Sequence, residues 1–171
     1  RGNDVLDATE TRFGMREFAV DGWRLLLNGK RVMLRGYGDD HVYPEQMAMS
    51  SDKELHLARL RLAKAYGFNF VRNHSAIMPP EYYDACDEVG LIATAEFPIC
   101  YHTYLPGTGF MWQAHALPGT DPKTAIDTYR REWTASVVRY RNHPSIFCWV
   151  RGNELYDPDP LRAEFQAIAR Q

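Results

Sequence analysis

The segment SIFCWVRGNE, residues 145–154, is apolar almost without a break until it turns through Gly152 and presents Asn153 and Glu154 side by side. An amide beside a carboxyl group at the end of a buried run can do chemistry. The carboxyl can give up and take back a proton, and the amide can hold a hydroxyl group. Three further stretches end in the same style. RGYGDDH ends in Asp39, Asp40 and His41, NFVRNH ends in Arg72, Asn73 and His74, and LIATAEF carries Glu96. Cleaving a glycosidic bond takes two carboxyl groups facing each other across it. One protonates the departing oxygen, and the other attacks the anomeric carbon or activates water. Glu154 suits the acid role, because an apolar strand end raises a carboxyl pKa towards neutrality. Arg72 would act in the opposite direction on a neighbouring carboxylate, and Asn153 suits a sugar hydroxyl. The same residues also admit a plain reading, with Glu154 a solvated loop acid and Arg72 a structural ion-pair partner.

Metal chemistry has weaker support. Neither H-x-H nor H-E-x-x-H occurs, and the RNHS and RNHP segments do not repeat a ligand geometry. His143, just before Pro144, reads as a helix-end residue, and His102 and His115 as solvated residues of a long loop. Cys86, Cys100 and Cys148 are an odd number without metal spacing, and Cys86 and Cys148 read as buried free thiols. No metal and no redox cofactor is expected.

These groups need elements that hold them. The segment MREFAVDGWRLLLNGKRVMLRG reads as paired strands, with Asp21-Gly22 and Asn28-Gly29 as tight turns and a last run from Val32 to Leu34. Ser51 with Glu54 forms a capping-box pattern. Leu55, Ala58, Leu62 and Tyr66 then fall on one helical face, and Gly67 ends the helix. Asn69–Arg72 reads as a short buried strand. A helix over PPEYYDACDEVG follows, with a Tyr82/Cys86/Val89 stripe and Gly90 at its end, and then the strand LIATAEF. After a loop at 97–119, a third helix has Asp121 as its cap and Pro122 in its first turn. Its inner face is Ile126, Tyr129, Trp133, Val137 and Tyr140, and Pro144 stops it. SIFCWVRGNE is the next strand, and PLRAEFQAIARQ starts one more helix.

Strand–helix alternation with apolar strands means a parallel sheet with right-handed crossovers. Two architectures share that order, a doubly wound sheet and a (β/α)8 barrel. The G-x-G-x-x-G loop of the first is missing, and RGYGDD places two acids where a phosphate would sit. The barrel is favoured. A complete one takes about 250 residues, so four units in 171 residues make an α/β fold that is the first half of a TIM barrel, preceded by a β-hairpin. In either architecture sites form at the C-terminal strand ends, where all these polar residues collect.

Composition sets bounds on function. Hydrophobic residues make up 45% and charged residues 25%, typical of a globular chain with its own core. The formal net charge is −2 with both signs well mixed, so no basic stripe suggests nucleic acid. No run approaches the roughly 18 apolar residues of a membrane span. The opening RGNDVLDATET is polar and lacks an apolar signal core. The compartment stays open, with the periplasm or cell exterior favoured over the cytoplasm. Ten Tyr, eight Phe and four Trp could serve a sugar cleft, but they suit a core better.

The sequence resembles glycoside hydrolase family 2, the β-galactosidase, β-glucuronidase and β-mannosidase family. DATETRFGMREFAVDG is similar to the end of that family's immunoglobulin-like domain. LLLNGKRVMLRG resembles its entry to the first barrel strand, GFNFVRNHSAIMPPEYYDACDEVGLIATAEFP its second strand, helix and third strand, and YRNHPSIFCWVRGNE the segment closing the fourth strand. The resemblance implies that residues 1–17 end a β-sandwich domain and its linker. Residues 18–171 would be the N-terminal half of the catalytic barrel, truncated after the fourth strand. It implies a retaining β-glycosidase with Glu154 as general acid/base, and Asn153 and Arg72 at the sugar. His74, Asp39, Asp40 and Glu96 join them as expected substrate-binding residues. The family's nucleophile is a glutamate on the seventh strand, and its jelly-roll domain also lies outside this sequence. The expected partner is a carbohydrate, without nucleic acid or membrane. The open sheet edges are expected to pair with another chain or with further parts of the same one. The alternative is a non-catalytic sugar-binding or structural half barrel. GYGDDH and NHSAI depart from the family's usual strand endings, and His74 is shifted one place from its pattern.

Overall fold

A computed structural model describes residues 7–99, 122–155 and 162–170. Three short antiparallel strands come first, β1 (Phe18–Asp21), β2 (Arg24–Leu27) and β3 (Lys30–Val32). They form a meander, one strand more than a hairpin. Asn28 and Gly29 make the second turn with φ of 51° and 73°, the double positive φ that a type I′ turn demands. The first turn sits one residue later than the Asp-Gly signal, because Asp21 still pairs with Arg24.

The main sheet is β4 (Gly36–Asp39), β5 (Phe70–Asn73), β6 (Ile92–Glu96) and β7 (Ile146–Val150), parallel throughout and in chain order. Helices α1 (Lys53–Ala65), α2 (Pro80–Val89) and α3 (Pro122–Tyr140) form its crossovers, and α4 (Arg162–Ala169) follows β7. This is the half-barrel arrangement. The first barrel strand is Gly36–Asp39; the apolar run Val32–Leu34 that reads as the strand lies before it. Glycine is needed there for space. A Cβ on Gly36 would lie 2.3 Å from Cδ1 of Phe70, whose ring fills the barrel floor. Phe147 meets Phe70 at 6.3 Å and Phe18 at 4.8 Å between centroids, so the meander packs under the sheet. Arg16 donates to the carbonyls of Pro144 and Ile146 at the same end.

Two features of α1 differ from the sequence pattern. Its cap is Asp52, one residue beyond the expected Ser51. Oδ1 of Asp52 accepts from the backbone N–H of Glu54 at 2.9 Å and Leu55 at 3.4 Å. Its buried face is His56, Leu57 and Leu60, whereas Ala58, Leu62 and Tyr66 are exposed. A histidine takes a core place here because its ring has partners. Nε2 donates to the Ser50 carbonyl at 2.8 Å, and the ring meets Tyr82 edge-on at 5.2 Å. Helix α2 buries Tyr82 and Cys86 as its stripe requires, with Tyr83 and Ala85 beside them. Gly90 caps it at φ 70°. Trp133, Val137 and Tyr140 are buried on α3, with Tyr129 half-buried, and Trp133 Nε1 donates to the Phe165 carbonyl of α4 at 3.0 Å. The side chain of Ile126, together with Asp121, Cys100, His102 and His115, lies outside the described residues. Cys86 and Cys148 are free thiols, the first buried and the second half-buried, and burial raises both pKa values.

His143 lies just beyond α3 and locks the start of β7. Its Nδ1 is 2.8 Å from Asp87 Oδ2, and the Ser145 N–H donates to Asp87 Oδ1 at 2.9 Å. Asp84 stands 3.9 Å from the same imidazole nitrogen, so three groups of ligand type gather there and already satisfy one another. Burial alone would raise the Asp87 carboxyl, but the hydrogen bonds from His143 and Ser145 outweigh it and hold it below the ordinary carboxylate value. A carboxyl depressed on folding stabilises the fold above its unfolded pKa of about 3.9. That contribution disappears as pH falls through the folded value. Asp87→Asn should therefore lower the melting temperature at neutral pH and flatten its decline on acidification. Parallel melting curves for variant and wild type across that range would contradict this role.

Candidate active site

Strand parity decides which side chains reach the inner face. On β5, Val71 packs among the helices and Asn73 bonds the Tyr82 hydroxyl of α2, so Phe70 and Arg72 point the other way. On β7, Phe147 faces the barrel floor, yet Trp149, two residues on, meets Trp133 of α3 on the outer side. Strict alternation would put both on one face. The break is a bulge: Ala93 opposes Ile146, but Thr94 opposes Cys148, which leaves Phe147 as the extra residue. The bulge sets the phase of everything that follows, including the site.

Beyond β7 the chain runs close against the end of β6. The Phe97 N–H bonds the Val150 carbonyl at 2.8 Å, and the Asn153 N–H bonds the Ile99 carbonyl at 2.8 Å. Gly152 lies between them, and a Cβ there would stand 2.3 Å from the Ile99 oxygen. Gly152 and Asn153 are thus clamped by backbone. Asn153 is buried, with Oδ1 accepting from Arg72 NH2 at 2.9 Å. Arg72 also grips Glu96 in a two-pronged contact, Nε to Oε2 at 2.8 Å and NH2 to Oε1 at 2.9 Å. Glu154 follows at φ 51°, exposed at the rim. A non-glycine residue held in the left-handed region stores strain of about 1–3 kcal/mol, a feature that gathers at functional sites.

The structure thus brings Arg72, Glu96 and Asn153 into one network and places Glu154 at its edge. His74 and Asp40 form a separate rim pair, Nδ1 to Oδ1 at 3.1 Å, and Asp40 is well exposed. Three expectations change. Asp39 shares the register of Asn73 and turns to the helices. Its Oδ2 pairs with Arg59 of α1 at 3.1 Å, and its Oδ1 accepts the His41 N–H at 2.8 Å. Glu96 is 0% exposed with both oxygens on Arg72, so neither carboxylate oxygen is open at the rim as a sugar contact requires. Glu154 is exposed, without the apolar crowding expected of a buried strand end.

A buried network lies under the rim. Burial lowers the pKa of His41, although Asp39 stands 3.7 Å from its Nδ1 and opposes the shift. Nε2 of the neutral ring then donates to Asn73 Oδ1 at 3.1 Å, because that amide oxygen can only accept. The Tyr82 hydroxyl donates to the same oxygen at 2.8 Å, and Asn73 Nδ2 donates to the Thr94 carbonyl at 2.6 Å. This chain of bonds joins β4, β5, β6 and α2. Sequence reasoning placed His41 and Asn73 at the rim and missed Arg59 entirely. The register of Gly36 and Gly38 as the inward positions of β4 is the signal that would have separated them.

Chemically, this arrangement offers one accessible carboxyl group beside an amide whose oxygen is already occupied. It suits proton transfer to and from a bound group. Glu96 is not open to act as a nucleophile, since it is buried with both oxygens bonded to Arg72.

Comparison with known proteins agrees with this geometry. Residues 18–171 match the family described as glycosyl hydrolases family 2, TIM barrel domain. A putative β-glucuronidase of Formosa agariphila is 34% identical over 154 residues, covering 90% of this chain and 17% of that protein. A β-galactosidase of Photobacterium profundum is 31% identical over 149 residues, covering 87% of this chain and 14% of that protein. Among solved structures, the β-glucuronidase of Ruminococcus gnavus in complex with uronic deoxynojirimycin superposes with a TM-score of 0.78 at 25% identity, over 99% of this chain and 28% of that one. The chain therefore spans about a sixth of the curated relatives' length or less. From its matched residues and its four parallel strand–helix units, it belongs to glycosyl hydrolase family 2 and carries the first half of that family's TIM-barrel domain.

Proposed function

We propose that this segment is part of a longer retaining β-glycosidase, in which Glu154 is the general acid/base and Asn153 binds the sugar beside the cleaved bond. The observation that carries the reading is the rim geometry. Asn153 is clamped by Arg72 and by the Ile99 carbonyl, and this delivers the strained Glu154 to the open end of β7. The nucleophile then comes from a part of the barrel beyond these residues. In this reading residues 1–17 close a preceding β-sandwich domain, and residues 18–171 are the first half of the catalytic barrel. Strands β4 and β7 each have a partner on one side among the described residues, and the remaining barrel strands of the same chain would cover both edges. His74, Asp40 and the exposed part of Arg72 line the rim where a sugar would lie. The named relatives point to a β-galactoside or β-glucuronide substrate.

The test is a panel of chromogenic β-glycosides, applied to the longest gene product that contains this segment. We expect hydrolysis of a β-galactoside or a β-glucuronide with retention of the anomeric configuration. Inversion, or binding of sugars without turnover of any substrate, would overturn the reading, and the latter outcome would favour a sugar-binding half barrel. Turnover by residues 1–171 alone would place the second carboxylate within this chain and contradict the assignment of the nucleophile.

A further inference from the structure

Glu96 is fully buried, and both of its carboxyl oxygens are turned onto Arg72. Buried ion pairs are weak evidence for stability, because desolvation offsets much of the attraction. Its geometry accounts for it better. A guanidinium is a planar fork with fixed N–H directions. Glu96 holds two of them, on Nε and NH2, at 2.8 and 2.9 Å. With the fork's plane and angle set, the second hydrogen of NH2 points at Asn153 Oδ1, 2.9 Å away. Arginine only donates, so the atom it meets has to be the amide oxygen. The amide nitrogen of Asn153, with its two N–H groups, is then directed away from this network. The backbone leaves little room for adjustment, since the Asn153 N–H is bonded to Ile99 at 2.8 Å and Gly152 is packed against the same carbonyl.

We infer that Glu96 is a positioning residue that acts through Arg72 to fix which end of the Asn153 amide faces the substrate, so that Asn153 serves as a hydrogen-bond donor to a sugar oxygen. This rests on the proposed glycosidase reading for its consequence but not for its geometry. Without Glu96, the guanidinium can rotate and the amide can flip. A flipped amide presents an acceptor where a donor is needed, and the sugar oxygen loses its partner while Glu154 is untouched.

The experiment is a double-mutant cycle in the full-length protein, with Glu96→Gln, Asn153→Ala and the pair. Glu96→Gln alone should lower kcat on the order of tenfold, the scale of one charge-assisted hydrogen bond, with a smaller change in KM. In the Asn153→Ala background the same change should cost less than about twofold, because the group it aims is gone. Equal losses in both backgrounds would show a merely structural role and overturn the inference. A crystal structure of the Glu96→Gln protein supplies a readout that does not depend on activity. Asn153 turned away from Arg72 supports the inference, and an unmoved Asn153 refutes it, even for a protein that hydrolyses no β-glycoside. Should Glu96→Gln fail to fold, Arg72→Lys keeps the charge and loses the fork, and the same cycle and structure then decide.

Discussion

Replacing Glu154 by alanine should reduce turnover of a substrate with a poor leaving group by about 10²–10⁴-fold, the usual contribution of a positioned general acid. The loss should be far smaller with a good leaving group, which departs without a proton. Both follow from the place of the side chain, exposed at the rim beyond β7 and next to the clamped Asn153. A proton donor acts on the departing oxygen, so its absence scales with how badly that oxygen needs the proton. Added azide should restore part of the rate, because a small anion attacks the glycosyl intermediate without help from a base. The discriminating quantity is the ratio of the losses on the two substrates, measured in the full-length protein. Equal losses on both would indicate damaged binding or folding and remove Glu154 from the acid role. Near-normal rates throughout would make it a solvated loop acid.

How much of this could be read in the sequence depended on whether local rules and tertiary contacts agreed. The order of strands and helices was legible because apolar strands, capping glycines and proline stops each act locally: Gly90 ends α2 at φ 70° and Pro80 opens it. Strand β4 was hidden. GYGD has no apolar pattern, since Gly36 is small to make room for the Phe70 ring, a contact 34 residues away. The inner face of α1 was misassigned for a related reason. His56 looks polar in sequence but is buried by one hydrogen bond to Ser50 and a ring contact with Tyr82, and neither can be foreseen from spacing. The polar residues were correctly placed at strand ends, but their sides were not. A one-residue change in register reverses the face. Asp39 therefore meets Arg59 of α1 while Arg72 meets Glu96, although both follow the same kind of strand. The bulge at Phe147 shifts the phase of β7 once more, and nothing in SIFCWV announces it.

The rim also has a shared backbone character. His41, Ser75 and Glu154, each just beyond the end of a barrel strand, have φ of 55°, 50° and 51°. Each exit turns sharply, and for two of them a local contact accounts for it. The His41 N–H is held by Asp39, and Glu154 follows the Gly152–Asn153 clamp. Such turns hold side chains at fixed positions more tightly than an open loop would, which a site for proton transfer requires.

Gly152→Ala tests that rigidity directly, and it should lower turnover by about 10²-fold, the effect of displacing a catalytic group by roughly 1 Å. The new Cβ would lie 2.3 Å from the Ile99 oxygen and 3.1 Å from both the Ile99 carbonyl carbon and its Cβ. A flexible side chain would move aside, but this obstacle is backbone. The Asn153 N–H is bonded to that same oxygen at 2.8 Å, so the two segments cannot separate without breaking the bond that sets Asn153. Relief must shift the chain carrying Asn153 and Glu154, or Ile99, which packs against the cluster of Phe97, Trp133, Val137 and Phe165. The variant should therefore still fold, with a lowered melting temperature, and lose rate on good and poor leaving groups together. That pattern differs from the unequal losses of Glu154→Ala, because the whole Asn153–Glu154 unit is displaced instead of one proton donor being removed. Wild-type turnover with an ordered alanine at 152 would show that the rim tolerates movement of this scale, and that the clamp between Ile99 and Asn153 does not position the acid.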